Sequence, residues 1–168
     1  MREHPAPGKL VDVGGGRHIQ IDCRGDGSPT IVFQSGGDLL GSLAWTPVMA
    51  KVAEKSRACA YSRAGIMWSD GASGAFDPQE VARDLHAALK ASGENGPYLL
   101  DSHSRGGLYS MIFAGQHRED IAGLVFVDSS HPDQETRFRE AGLAVGDYVT
   151  PAESLALVFR WTGLMRLT

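Results

Sequence analysis

The chain has 168 residues, with 42% hydrophobic and 21% charged side chains and a formal net charge of -4 at pH 7. This length allows one domain with a packed core, and the acidic balance provides no basic stripe for nucleic acid. The first residues lack the apolar segment of a signal peptide, and no stretch is long enough to span a membrane. We therefore expect a cytoplasmic globular protein with no nucleic-acid partner and no membrane span.

The first half of the chain alternates short apolar runs with turn residues. Its predicted elements are strands over 10–13, 18–23, 30–33 and 58–61 and a helix over 45–52. The glycines at 14–16 separate the first two strands and indicate a hairpin. Thr46 followed by Pro47 is a typical helix start.

The second half contains the clearest helix, over residues 78–91. Asp77 can cap it, Pro78 suits its first position, and Glu80 can complete a capping box. Its predicted apolar face consists of Val81, Leu85, Ala88 and Leu89. A strand over 98–100, a helix with Leu108, Met111 and Ile112 on one face, and an apolar strand over 121–127 follow. We expect this last strand to be buried on both faces.

The order of these elements predicts the fold class. A hairpin followed by repeated strand–helix units indicates an α/β protein with a mostly parallel sheet of about six strands, flanked by helices. Ligands of such sheets bind at the carboxyl ends of the strands.

The sequence offers little sign of a metal or cofactor. Cys23 and Cys59 both fall in predicted strands, and we expect them to be reduced, buried thiols. Metal-ligand spacings and a glycine-rich phosphate loop are missing, so no metal and no cofactor are predicted.

Ser104 is the strongest candidate for chemistry. It lies between a short apolar strand and a helix-patterned segment, in a small-X-Ser-X-Gly pentapeptide that begins at Ser102. This pattern predicts a nucleophile elbow, a sharp turn that exposes a serine hydroxyl at the start of a helix. Small residues are needed on either side because such a turn brings backbone against backbone.

Four segments in order give the chain a resemblance to the α/β-hydrolases, from about Val11 to about Gln134. They are Gln34-Ser35-Gly36-Gly37, the stretch from Ala60 to Asp70 (AYSRAGIMWSD), the elbow, and the stretch from Gly123 to Gln134 (GLVFVDSSHPDQ). The resemblance implies hydrolysis of a small-molecule ester by a serine nucleophile, without a cofactor.

The resemblance also implies roles for individual residues. Ser104 matches the nucleophile, and the backbone N–H groups of Gly37 and Arg105 match the oxyanion hole. Ser35, Gly36 and Trp68 are the predicted substrate-binding residues.

The sequence departs from the family pattern at several points. Ser62 replaces an aspartate, Met67 and Ser102 each replace a glycine, and Asp101 occupies a normally apolar position. We divide the chain into a hydrolase core over 1–134 and a partial helical cap over 135–168. The last two strands of the family's core, and the histidine expected near them, have no counterpart in this sequence.

His131 is the best candidate for a substitute base. It follows the strand predicted to lie beside the elbow strand, and Asp128 or Asp133 could orient its ring. His18 is assigned to the opposite end of the sheet. For Arg63 and Arg105, solvation or an ion pair with Asp101 or Asp128 is the preferred interpretation.

Three interpretations remain open at this stage. The chain is a reduced but active hydrolase, a fragment completed by other strands, or a degenerate hydrolase that binds without turnover. Without the last two strands of the family's core, the strand over 121–127 forms a sheet edge. An exposed apolar edge favours association, so we also expect a homo-oligomer.

Overall fold

The structure is a computed structural model that describes residues 4–72 and 74–143. Its six strands are β1 (Lys9–Asp12), β2 (His18–Arg24), β3 (Thr30–Gln34), β4 (Ala58–Ser62), β5 (Tyr98–His103) and β6 (Ile121–Val127). They form one sheet in the order β1-β2-β4-β3-β5-β6. β1 and β2 run antiparallel to their neighbours, and the pairs from β4 to β6 are parallel. The predicted α/β class and mostly parallel six-stranded sheet are confirmed.

Helices cover both faces of this sheet. They are α1 (Thr46–Val52), preceded by a 3-10 turn at Gly41–Trp45, α2 (Pro78–Ser92) and α3 (Gly106–Gln116); a fourth helix, α4 (Gln134–Glu140), follows later in the chain. Alternation along the strands separates two cores. Val32 of β3 packs in the cluster that contains Leu85 of α2 and Phe113 of α3. Its neighbour Phe33 packs on the other face with Met49 of α1.

Helix α2 begins as predicted. The Asp77 carboxylate accepts a hydrogen bond from the N–H of Gln79 at 2.8 Å, and Pro78 is the first helical residue. Glu80 does not complete the expected capping box, because its carboxylate lies 3.3 Å from the guanidinium of Arg17. The predicted apolar face of α2 is buried.

The predicted burial of the last strand on both faces was wrong. β6 is one of the two edge strands of the described sheet, as expected, but Val125, Phe126 and Val127 are 40%, 50% and 45% exposed. The apolar run therefore does not mark a strand covered on both faces. In α3 the buried positions are Gly106, Gly107, Tyr109, Ser110 and Phe113. Leu108, Met111 and Ile112 are only half-buried, because the small residues allow α3 to lie close to the sheet.

The cysteines also differ from the prediction of reduced thiols. Cys23 of β2 lies directly opposite Cys59 of β4, with their Cα atoms 4.1 Å apart, and the two form a disulfide. The pairing arises because β2 lies beside β4 rather than β3. Disulfides are rare in cytosolic proteins, and the cytoplasmic location stays a prediction.

The described chain contains two compact units. The sheet, α1, α2 and α3 belong to the unit His4–His131, and α4 belongs to a unit that starts at Pro132. In α4, Glu135 and Arg139 form an ion pair at 2.8 Å. The division into a core over 1–134 and a cap over 135–168 stays a prediction, and the proposed cap helix over 151–167 lies outside the described residues. No described helix is both long and apolar enough to cross a membrane.

Candidate active site

Ser104 occupies the turn between β5 and α3. Its φ of 54° is in the left-handed region, which a non-glycine residue adopts at a cost of about 1 kcal/mol. The Ser104 carbonyl accepts hydrogen bonds from the N–H groups of Gly107 and Ser130, at 3.1 and 2.9 Å. The tight turn is therefore held from the helix on one side and from the segment after β6 on the other.

The loop after β3 approaches this turn closely at Gly36. A Cβ atom placed on Gly36 would lie 2.8 Å from Ser104 Cβ and 3.3 Å from Ser104 Oγ. Any side chain at position 36 would therefore collide with the serine. Only glycine, which has no side chain, therefore fits at position 36. Gly36 was one of the predicted substrate-binding residues.

Two backbone donors lie beside the serine without an acceptor. Among residues 4–72 and 74–143, neither the N–H of Gly37 nor the N–H of Arg105 donates a hydrogen bond. Gly37 adjoins Gly36, and Arg105 is the N-cap residue of α3. Free N–H groups at the start of a helix attract negative charge, as an oxyanion hole requires.

Arg63 holds the loop after β3 from beneath. Its guanidinium donates hydrogen bonds to the carbonyls of Ser35 and Gly36, and the side chain is only 9% exposed. In a trans peptide the C=O and the N–H point in opposite directions. The contact with the Gly36 carbonyl therefore fixes the direction of the Gly37 N–H. This role of Arg63 was not predicted from the sequence.

Arg63 and Arg105 form none of the ion pairs expected from the sequence. Arg63 contacts carbonyls and lies 5.1 Å from the centre of the Tyr109 ring. Arg105 is exposed, and its guanidinium lies beside Gly37. Neither pairs with Asp101 or Asp128: Arg63 is bonded to two carbonyls, and Arg105 is exposed, in agreement with the alternative of solvation.

The departures from the family pattern are accommodated locally. Ser102 is fully buried, with its Oγ 2.6 Å from Ser110 Oγ of α3. Ser62 donates to the side-chain oxygen of Gln20 at 2.7 Å, inside a buried polar network. Met67 has a φ of 49°, so it adopts the backbone conformation that glycine favours.

The predicted base, His131, comes directly after a residue that is bonded to the Ser104 backbone. His131 follows Ser130, whose N–H is bonded to the Ser104 carbonyl. Asp128, the predicted orienting acid, ends β6 with a φ of 46°. Ser104 Oγ itself makes no hydrogen bond with any histidine of the described residues. The assignment of His131 and Asp128 therefore stays a prediction.

Other predicted residues have contacts of their own. The Ser35 hydroxyl donates to the Gly41 carbonyl at 2.8 Å and is buried. The Trp68 indole N–H donates to the His4 carbonyl at 3.0 Å. Because β2 runs antiparallel to β4, His18 at the start of β2 lies at the carboxyl end of the parallel strands, the same end as Ser104. Its predicted placement at the opposite end was wrong.

One cluster of metal-ligating side chains lies at the far end of α3. His86, His117 and Asp120 bring ligand atoms within 4.8 Å of one another. The two imidazole rings are stacked, with centroids 3.8 Å apart and planes 9° apart. Lone pairs in parallel planes do not converge on one ion, so this arrangement fits an aromatic stack bonded to Asp120 at 3.0 Å.

Asp101 lies on the sheet face opposite α3 and has a buried side-chain oxygen, Oδ1, without a partner. Burial raises the pKa of this carboxyl above its ordinary value. The folded state therefore binds more protons than the unfolded state just above the ordinary pKa, and stability falls as pH rises through that range.

Replacing Asp101 with asparagine is expected to stabilise the fold at pH 7 by on the order of 1 kcal/mol, because it removes a charge without a partner. Urea unfolding at pH 4 and pH 7 measures the effect, with the exposed Asp26→Asn as the matched control. A destabilised Asp101→Asn variant at pH 7 would contradict this account.

Comparison with solved structures identifies the fold. An α/β-hydrolase from Novosphingobium aromaticivorans superposes with a TM-score of 0.65 at 22% identity, covering 79% of this chain and 48% of that chain. An N-acyl homoserine lactone degrading enzyme gives 0.66 at 20% identity, covering 94% and 56%. An epoxide hydrolase from Bacillus megaterium gives 0.68 at 17% identity, covering 91% and 51%. The chain therefore has the α/β-hydrolase fold.

Curated relatives match over shorter shares of their length. The probable transporter efuK of Hormonema carpetanum is 34% identical over 128 residues, which are 72% of this chain and 18% of that protein. The uncharacterized protein YqjL of Bacillus subtilis is 32% identical over 110 residues, 66% of this chain and 43% of that protein. No protein-family model matches the sequence. The chain thus spans less than half of both relatives.

Proposed function

We propose that this chain is a serine hydrolase that cleaves small carboxylic esters through an acyl-enzyme on Ser104. The observation that carries the proposal is the turn of the half-buried Ser104, which has a φ of 54° and lies beside the N–H groups of Gly37 and Arg105. Neither N–H group donates a hydrogen bond to a described residue. The esterases among the structural neighbours support the choice of substrate class. Epoxide hydrolases share the fold, but a serine rather than a carboxylate at the elbow favours acyl transfer.

The proposed reaction has two steps. Ser104 Oγ attacks the ester carbonyl and its proton passes to His131, while the N–H groups of Gly37 and Arg105 donate hydrogen bonds to the carbonyl oxygen, which becomes negatively charged. The intermediate expels the alcohol, which takes the proton from His131. Water then attacks the acyl-enzyme and loses a proton to the same imidazole. The second intermediate breaks its bond to Ser104 Oγ, which takes that proton back from His131, and the acid is released. Asp128 would orient the ring.

Replacing Ser104 with alanine is expected to abolish both turnover of short-chain p-nitrophenyl esters and labelling by a fluorophosphonate probe, because the attacking oxygen is removed. The matched control is Ser110→Ala, whose hydroxyl is buried against Ser102 rather than exposed at the turn. Equal rates for wild type and Ser104→Ala would contradict the proposal.

The same assay tests the base. His131→Ala is expected to lower turnover by at least about 100-fold, since unassisted serine is a weak nucleophile. The exposed His103, the residue before Ser104, gives the control substitution His103→Ala. Full activity in His131→Ala would remove His131 from the mechanism and leave Ser104 in place.

A second candidate function is a non-catalytic binding module with the hydrolase fold. It is favoured by the lack of a hydrogen bond between Ser104 Oγ and any described histidine. A binding module leaves the fluorophosphonate probe unreacted, whereas an activated serine is labelled. The predicted self-association also stays a proposal, and the exposed apolar edge of β6 supports it.

A further inference from the structure

We propose that Arg105 selects esters whose acyl part carries a carboxylate, such as the monoesters of dicarboxylic acids. The inference rests on the proposed function of Ser104 and names the substrate class of that same site. It depends on the side chain of Arg105, whereas the oxyanion hole uses only its backbone.

The guanidinium of Arg105 lies against the loop after β3, which contains Gly36 and Gly37. A Cβ atom placed on Gly37 would be 3.4 Å from Arg105 Cζ and 3.5 Å from Nε. Gly37 is exposed and adjoins Gly36, which packs on Ser104. The positive charge therefore lies beside the donor that would meet the acyl carbonyl oxygen, within reach of the rest of the acyl group.

No group of the described residues neutralises this charge. Arg105 has no ion pair or side-chain hydrogen bond with residues 4–72 and 74–143. Asp38 is the nearest acid in the loop after β3. Its carboxylate accepts hydrogen bonds from the N–H groups of Leu40 and Gly41 at 2.8 and 2.9 Å. Asp101, on the neighbouring strand β5, does not pair with Arg105 either, and its Oδ1 has no hydrogen-bond partner.

Most other described arginines do have a partner. They pair with carboxylates at Arg17, Arg24, Arg57, Arg83, Arg137 and Arg139. An exposed guanidinium that remains unpaired beside a nucleophile can bind an incoming carboxylate through two parallel N–H···O bonds. With a neutral ester, the guanidinium N–H groups remain hydrogen-bonded to water. Arg105 therefore favours esters that carry a carboxylate over neutral esters.

Binding to the Ser104→Ala variant tests the inference without turnover. We expect monoethyl succinate to bind about tenfold more tightly than diethyl succinate, as measured by isothermal titration calorimetry. Adding Arg105→Gln should abolish the difference. The control is Arg118→Gln, which removes the same charge from an exposed, unpaired arginine beyond the other end of α3 and should leave the difference intact.

The outcomes separate the two proposals. Equal affinities for the two esters, no binding of either, or an equal effect of Arg118→Gln and Arg105→Gln would overturn the role of Arg105. Charge-selective binding together with no Ser104-dependent turnover of either ester would instead overturn the proposed hydrolase. In an active wild type, the ratio of kcat/KM for the monoester over the diester should fall about tenfold in Arg105→Gln, and this ratio cancels effects on the shared chemistry.

Discussion

Alanine at position 106 is expected to lower the free energy of unfolding by about 3 kcal/mol or to prevent folding. Gly106 opens α3 and is buried against β3. A Cβ atom there would lie 2.3 Å from the carbonyl oxygen and 3.0 Å from the carbonyl carbon of Gln34. Both atoms belong to the backbone of a central strand, so no side-chain rotation relieves the collision.

Gly115→Ala is the matched control for this substitution. Gly115 lies in the same helix, and a Cβ atom there would have no atom within 4 Å. Since alanine favours helix over glycine, this variant should gain about 0.5–1 kcal/mol. Urea unfolding of the two variants measures the difference. Equal stabilities would show that α3 does not pack on Gln34 as closely as the structure has it.

The local elements of this fold could be predicted because their signals are local. Asp77 followed by Pro78 marks the start of α2, and apolar runs bounded by turn residues mark the strands. The tight turn at Ser104 was also predictable, since the small residues around it reflect a turn that excludes side chains. The family resemblance joined these elements into one fold.

Features that depend on which strands become neighbours were not predictable in this way. The disulfide requires β2 beside β4, and no pattern within either strand indicates that pairing. The place of β6 at a sheet edge was expected, but the exposure of its side chains was not, because an apolar run looks the same whether or not another element covers it. Arg63 looked like a surface cation, because nothing near it in sequence shows that two carbonyls of another loop lie within its reach.

Replacing Arg63 with glutamine is expected to lower kcat for p-nitrophenyl acetate by about 100-fold with little change in KM. The guanidinium holds the Gly36 carbonyl, and through the planar peptide it directs the Gly37 N–H toward the charge that develops on the substrate. Losing it releases that donor without touching the serine. A group that only supported folding would instead lower stability and leave kcat of the folded fraction unchanged.

Arg63→Lys and Arg83→Gln complete this experiment. Lysine keeps the charge but cannot form the same two-carbonyl fork, so partial recovery of kcat is expected. Arg83 is an exposed arginine paired with Asp77 at 3.0 Å, and its loss should change stability by less than about 0.5 kcal/mol and kcat not at all. Fluorophosphonate labelling rates provide a second readout, because the probe's oxyanion needs the same N–H. If Arg63→Gln is labelled as fast as wild type, the Gly37 N–H does not take part in the chemistry, and the oxyanion hole must be assigned elsewhere.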